Sequence, residues 1–172
     1  MYMRNNKTEK LVIIAFLIAL SVILTRFCSI NTDILRIGFG FLPAAMVGIM
    51  YGPIWAGASY AVADVLGMLI FPSGAFFPGF TFTAFLTGCV YGFFLYKKES
   101  LSWKRILIPV LIVCMGLNLF VDTLWLEILY GQGYLAIFPM RIIKCAAMVP
   151  IQTVLIKVVW DKIITKIMTG RR

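Results

Sequence analysis

The chain contains no histidine. Histidine-based acid–base chemistry, histidine metal sites and Ser-His dyads are therefore excluded. Charge is scarce as well, at 13% of residues, and acids are scarcer than bases, 7 against 16. A soluble domain is about a quarter charged. No G-x-x-x-x-G-K-[ST] string occurs, so the chain binds no nucleotide through a P-loop. The four cysteines, Cys28, Cys89, Cys114 and Cys145, are scattered without a CxxC pair. They read as small membrane-core side chains, and neither a disulfide framework nor a metal site is expected. Gly57-Ala58-Ser59 looks like a fragment of an intramembrane serine-protease motif, but without histidine it has no partner base. No internal repeat marks two pseudosymmetric halves.

What fills the chain is apolar. Of its 172 residues, 62% are hydrophobic, and the mean hydropathy is +0.96. No soluble fold of this size hides that much apolar surface, so the solvent is the lipid bilayer. The net charge of +9 would suggest nucleic acid in a soluble protein. Here the cations cluster between apolar segments, as topology signals do, and no nucleic acid is expected.

A spanning helix needs about 20 mostly apolar residues. Six candidates follow one another: Leu11 to Ile30, Phe41 to Met50, Ile54 to Ile70, Pro78 to Tyr96, Ile106 to Ile128 and Phe138 to Ile167. Arg4, Lys7 and Lys10 before the first run imitate a signal peptide. Thr25-Arg26-Phe27-Cys28 offers no small-residue cleavage site, so the first helix is expected to be retained. The second run is too short to span alone. The string "LRIGFGFLP", Leu35 to Pro43, is expected to continue it at membrane depth, where non-helical backbone is tolerated only against protein or a water-filled cavity.

The expected fold is thus an all-α integral membrane protein, a single six-helix domain over residues 1–172. Short basic tails lie at about 1–10 and 168–172. Six spans place both ends of the chain on one side. That side receives twelve cations: Arg4, Lys7, Lys10, Lys97, Lys98, Lys104, Arg105, Lys157, Lys162, Lys166, Arg171 and Arg172. The other receives four: Arg26, Arg36, Arg141 and Lys144. By the positive-inside rule both termini are cytoplasmic. The four outer cations have no topological reason to be there.

Ionisable groups within spans are expensive and usually face a cavity. The candidates are Arg26, Asp64, Asp122, Glu127, Arg141 and Lys144. Arg141 and Lys144 are three apart and share a helix face. They either snorkel to the outer headgroups or pair with Asp122 and Glu127. Three outer loops, Arg36 to Pro43, Phe71 to Gly79 and Tyr130 to Pro139, each bring Gly, Pro and aromatics. Phe39, Phe71, Phe77 and Trp125 belong to this aromatic crowd. Flexible loops with aromatic plates and a few cations make a lid over a flat, anionic ligand. The outer half carries as many acids as bases, Asp33, Asp64, Asp122 and Glu127 against the four cations, so bulk charge does not select an anion.

Small residues recur at spacing four: Ala15 and Ala19; Ala44, Gly48 and Gly52; Ala84, Gly88 and Gly92. Such spacing lets helix backbones approach closely in lipid, and packing inside the bundle is the first reading. With Gly52-Pro53-x-x-x-Gly57, then Asp64 and Gly67, the chain resembles the substrate-binding (S) components of energy-coupling factor (ECF) vitamin transporters. "RIGFGFLP" and "FPSGAFFPGFTFTAFLTG", Phe71 to Gly88, resemble more narrowly the folate-specific members. The resemblance covers nearly the whole chain.

It implies a subunit, not an enzyme and without a cofactor, that captures its vitamin outside a bacterial cell membrane. Such a subunit docks on a transmembrane coupling subunit and two cytoplasmic ATPases, and topples in the membrane to release its ligand inward. It maps Ala15 and Ala19 to the partner face. Asp64 belongs to a pattern shared by members with different ligands, which favours a structural role. The residues expected at the ligand are Arg26, Arg36, Gly38, Phe39, Phe71, Phe77, Asn118, Asp122, Trp125, Arg141 and Lys144. Folate's two carboxylates suit arginine's planar fork, its flat pterin suits aromatic stacking, and Asn118 and Asp122 are acceptors for its ring donors. Riboflavin, pantothenate or thiamine are alternative cargoes, and a proton-coupled secondary transporter is an alternative class. The absence of repeats counts against the latter.

Overall fold

The structure, a computed structural model, describes residues 7–27, 30–31, 36–72, 76–98, 101–131 and 134–164. Helix α1 spans Lys7–Arg26. Two short strands follow, β1 (Ile30–Asn31) and β2 (Arg36–Ile37), paired antiparallel with Asn31 opposite Arg36. Then come α2 (Phe41–Tyr51), α3 (Pro53–Ile70) and α4 (Pro78–Leu95). The next span has three parts: α5 (Trp103–Leu111), a π-helical stretch (Ile112–Val121) and α6 (Asp122–Tyr130). Helix α7 (Tyr134–Val159) passes into a π turn at Trp160–Ile164. Among the described residues, five helical spans are long and apolar enough to cross a membrane, and α2 is the shorter apolar helix among them.

The boundaries have local causes. Pro53 and Pro78 open α3 and α4, where a missing N–H costs nothing and φ is already set. Gly52, at φ 93°, turns the chain from α2 into α3 in a conformation side chains avoid, and Gly131, at φ 64°, ends α6 in the left-handed cap. The fifth helix starts earlier than Ile106, because the Ser102 carbonyl accepts from Arg105 N–H and Ile106 N–H and brings Trp103, Lys104 and Arg105 into the first turn. The sixth starts before Phe138, at Tyr134, with Pro139 inside it. Only one carbonyl is robbed of its donor there, which a nearby helix end tolerates.

Close backbone-to-backbone approach joins α2, α3 and α4. A Cβ on Gly48 would lie 2.9 Å from Gly92 N, and one on Gly57 would lie 2.9 Å from the Phe85 carbonyl. Cβ atoms on Gly88 and Gly92 would overlap the backbones of Ala56 and Pro53. The glycines of α2, α3 and α4 therefore mesh with one another, as the spacing of four predicted. The main buried cluster runs from Phe41 and Tyr91 through Val113 to Met148 and Trp160, joining α2, α4, α5, the π stretch and α7. A smaller one joins Ile14 and Leu17 of α1 to Val47 and Ala56.

At one end Lys10 lies over the Trp55 ring at 3.8 Å, and Lys157 donates to the Leu101 carbonyl at 2.9 Å. Most described cations gather at this end. The other end holds Arg26, the β1–β2 pair, and the start of α4 and α7, and it is there that the polar groups converge.

Candidate ligand-binding site

Helix α4 is the middle post of that second end. Thr81 and Thr83 are two apart and so point to different sides of it. Thr81 donates to Asp64 Oδ2 of α3 at 2.9 Å. Thr83, buried, accepts a 3.1 Å hydrogen bond from Trp125 Nε1 of α6 and donates to the Gly79 carbonyl. The Phe77 ring lies 5.5 Å from that of Trp125 and 6.2 Å from Phe80. The result is an aromatic step built from the α4 N-terminus and α6.

Behind the step lies the charged cluster. Arg141 is only 4% exposed. Its Nη2 donates to the Asn118 carbonyl at 2.7 Å and sits 3.6 Å from Asp122 Oδ2. Asp122 Oδ1 is buried and makes no hydrogen bond within 3.5 Å among the described residues. Lys144 is half-buried one turn further along α7, on the same helix face as Arg141. Snorkelling, one of two readings of Arg141, is thus replaced by the other: the guanidinium points into the bundle. The reason lies in Asn118, in the π-helical stretch, whose carbonyl faces α7 within reach of the guanidinium. Of the two acids expected as partners, Asp122 makes the ion pair.

The α1–α3 side contributes a second cation. The Arg26 guanidinium lies against Gly67, where a Cβ would stand 2.8 Å from Nε and 3.1 Å from Nη2. Asp64 is three residues from Gly67 on the same helix face. Phe27 meets Phe71 edge-on at 4.9 Å just outside. Phe39 packs toward the main buried cluster, 6.4 Å from Phe41, and Gly38 is half-buried before it. Gly40 is pressed onto α1, where Ser21 donates to its carbonyl at 3.2 Å. Arg36 is placed by its backbone pairing with Asn31; its side chain, like Cys28, Asp33 and Tyr130's ring, lies outside what is described.

The structure therefore joins Phe77, Asn118, Asp122, Trp125, Arg141 and Lys144 in one region across α4, the π stretch, α6 and α7. Arg26 and Phe71 form a neighbouring region on α1 and α3. Thr81, Thr83, Gly67 and Gly79 were not singled out as ligand-region residues from sequence. A Thr at every second position opening α4 is the only signal that pointed to the first two. The arrangement offers cations, a buried carboxylate oxygen and ring faces together, which suits binding of a flat, charged ligand. Ala15 and Ala19 lie elsewhere, exposed on the outward face of α1 beside Phe16, while Ile14, Leu17 and Ser21 bury the inward face.

Comparison with known proteins gives the family and the fold. Residues 9–160 match the family described as "ECF transporter, substrate-specific component". The folate transporter FolT of Clostridium novyi (strain NT) is 46% identical over 158 residues, covering 92% of this chain and 91% of its own. FolT of Leuconostoc mesenteroides is 34% identical over 150 residues, covering 84% and 80%. A crystal structure of FolT bound with folic acid superposes with a TM-score of 0.85 at 40% identity, covering 90% of this chain and 94% of that one.

Proposed function

The chain belongs to the family of substrate-specific components of ECF transporters, and we propose that it is the folate-binding membrane subunit of such an importer. The observation that carries this reading is the match, over 90% of the chain, to the fold of FolT bound with folic acid. The polar and aromatic groups of this chain converge at one end of that fold. The protein resides in the bacterial cell membrane as a multi-pass subunit.

Six transmembrane helices form one domain over residues 1–172, with both termini cytoplasmic and the Arg26–Trp125–Arg141 end outside. Twelve cations against four support this orientation. An Arg172→Cys protein should then be labelled only after cells are permeabilised, and labelling from outside intact cells contradicts the orientation.

Within the site, the step of Phe77 and Trp125 stacks the pterin, and Asp122 with Asn118 accepts its ring donors. Arg26 or Arg36 grips a carboxylate of the glutamate tail. Arg141, paired with Asp122, and Lys144 face the ligand, and Gly38, Phe39 and Phe71 close over it. Ala15 and Ala19 dock on a transmembrane coupling subunit that carries two cytoplasmic ATPases, which supply the energy this chain has no P-loop to harvest. The test is growth of a folate-requiring host on limiting folate, with the chain expressed alone or with coupling subunits. Growth is expected only with both. Equal growth without the coupling subunits would make the chain a self-sufficient transporter.

A further inference from the structure

We infer that Thr83 is a positioning residue for ligand binding, which acts by fixing the Trp125 indole. The inference rests on the proposed folate site and adds a residue to it. Three observations lead there. The Trp125 Nε1–H donates to Thr83 Oγ1 at 3.1 Å, a bond between α6 and α4. The Thr83 hydroxyl has the Gly79 carbonyl at 3.1 Å to take its own proton, which leaves its lone pairs to accept from the indole. Gly79 leaves room for the ring: a Cβ there would stand 2.6 Å from Trp125 Cδ2 and 2.5 Å from Phe77 Cε1.

One turn of α4 thus supplies both the space that the indole fills and the acceptor that stops it rotating. Thr83 is 3% exposed, whereas Trp125 is half-buried with Phe77 beside it. A ring held at its edge by a hydrogen bond keeps its face free for stacking. Rigid plates lose less entropy on binding than mobile ones.

The test is a double-mutant cycle on the purified, detergent-solubilised subunit, with folate affinity as the readout. Thr83→Val keeps the shape and removes the acceptor. It is expected to weaken folate binding about three- to tenfold, the worth of one ordinary hydrogen bond. Thr83→Ser, which keeps the hydroxyl, is expected to restore most of it. Trp125→Phe removes the indole N–H, and in that background Thr83→Val should cost nothing further, because the bond it breaks no longer exists. Thr83→Ala repeats the comparison should the valine protein not elute as a single species. A cost that persists undiminished with Trp125→Phe assigns the hydroxyl to Asp122 or to helix packing and overturns the inference. So does unchanged affinity of Thr83→Val in the parent. If the parent itself binds no folate, the proposed function fails and this inference with it; if the parent binds and the cycle is additive, only this inference fails.

Discussion

Arg141 Nη2 sits 3.6 Å from Asp122 Oδ2 and donates at 2.7 Å to the Asn118 carbonyl, tying α7 to α6 and to the π-helical stretch between α5 and α6. Both charges lie deep: the side chains are 4% and 17% exposed. In such a setting the pair as a whole contributes little, because desolvation offsets attraction, but breaking it strands a charge. Arg141→Met is therefore expected to destabilise the ligand-free subunit by about 3–5 kcal/mol. Adding Asp122→Leu should recover most of that loss. Thermal unfolding in detergent of the two singles and the double checks it; a double that falls as far as the two singles summed contradicts the pairing.

The glycine seam gives a contrast within one residue type. A Cβ on Gly92 overlaps Pro53 backbone atoms that cannot move aside, whereas one on Gly116 meets nothing within 4 Å among the described residues. Gly92→Val should abolish recovery of folded protein. Gly116→Ala, in a helical stretch, should be neutral or stabilising by up to about 1 kcal/mol. Yield and the fluorescence-detected elution profile of each variant measure the difference.

The outward face of α1 predicts a separation of binding from transport. Ala15 and Ala19 are exposed, and the first buried positions beside them, Ile14 and Leu17, face the other way. Ala15→Trp or Ala19→Trp should leave folate binding by the isolated subunit intact and stop uptake in cells carrying the coupling subunits, because a bulky ring keeps helix backbones apart. Uptake that survives both changes would make this face lipid-facing only.

Much of this was legible from sequence because lipid simplifies the reading. Apolar runs bounded by Gly-Pro, Phe-Pro and charged clusters became helices in the expected order, and the spacing of Gly48, Gly52, Gly88 and Gly92 foretold their meshing. The π-helical stretch was not legible. "IVCMGLNLFV" has no feature that distinguishes i→i+5 from i→i+4 pairing. The direction of Arg141 was undecided for the same reason: snorkelling and inward pairing use the same sequence, and only the position of Asp122 and the Asn118 carbonyl chooses between them. Thr81 and Thr83 escaped notice because a threonine in an apolar run is as much a packing residue as a donor.

The two arginines proposed for the glutamate tail predict a ligand-dependent effect. A charge-assisted hydrogen bond is worth about 1.5–3 kcal/mol, so Arg→Ala at whichever of Arg26 or Arg36 grips the carboxylate should weaken folate roughly tenfold to more than a hundredfold. Arg→Lys should recover only part, since an ammonium lacks the fork. A pterin fragment without the glutamate should bind the parent weakly and be nearly indifferent to the change. If both alanine variants bind folate as the parent does, the arginines serve the helix ends instead; for Arg26 that role already has a seat against Gly67.

The central claim, that this chain alone holds folate, is tested most directly by equilibrium titration of the purified subunit, free of coupling subunits and nucleotide, with folate and separately with riboflavin, pantothenate and thiamine. One folate per chain is expected to bind, with affinity far above that for the other three and with quenching of tryptophan emission that is reduced in Trp125→Phe. No folate binding by a folded, monodisperse subunit, or equal binding of another of the vitamins, would contradict it.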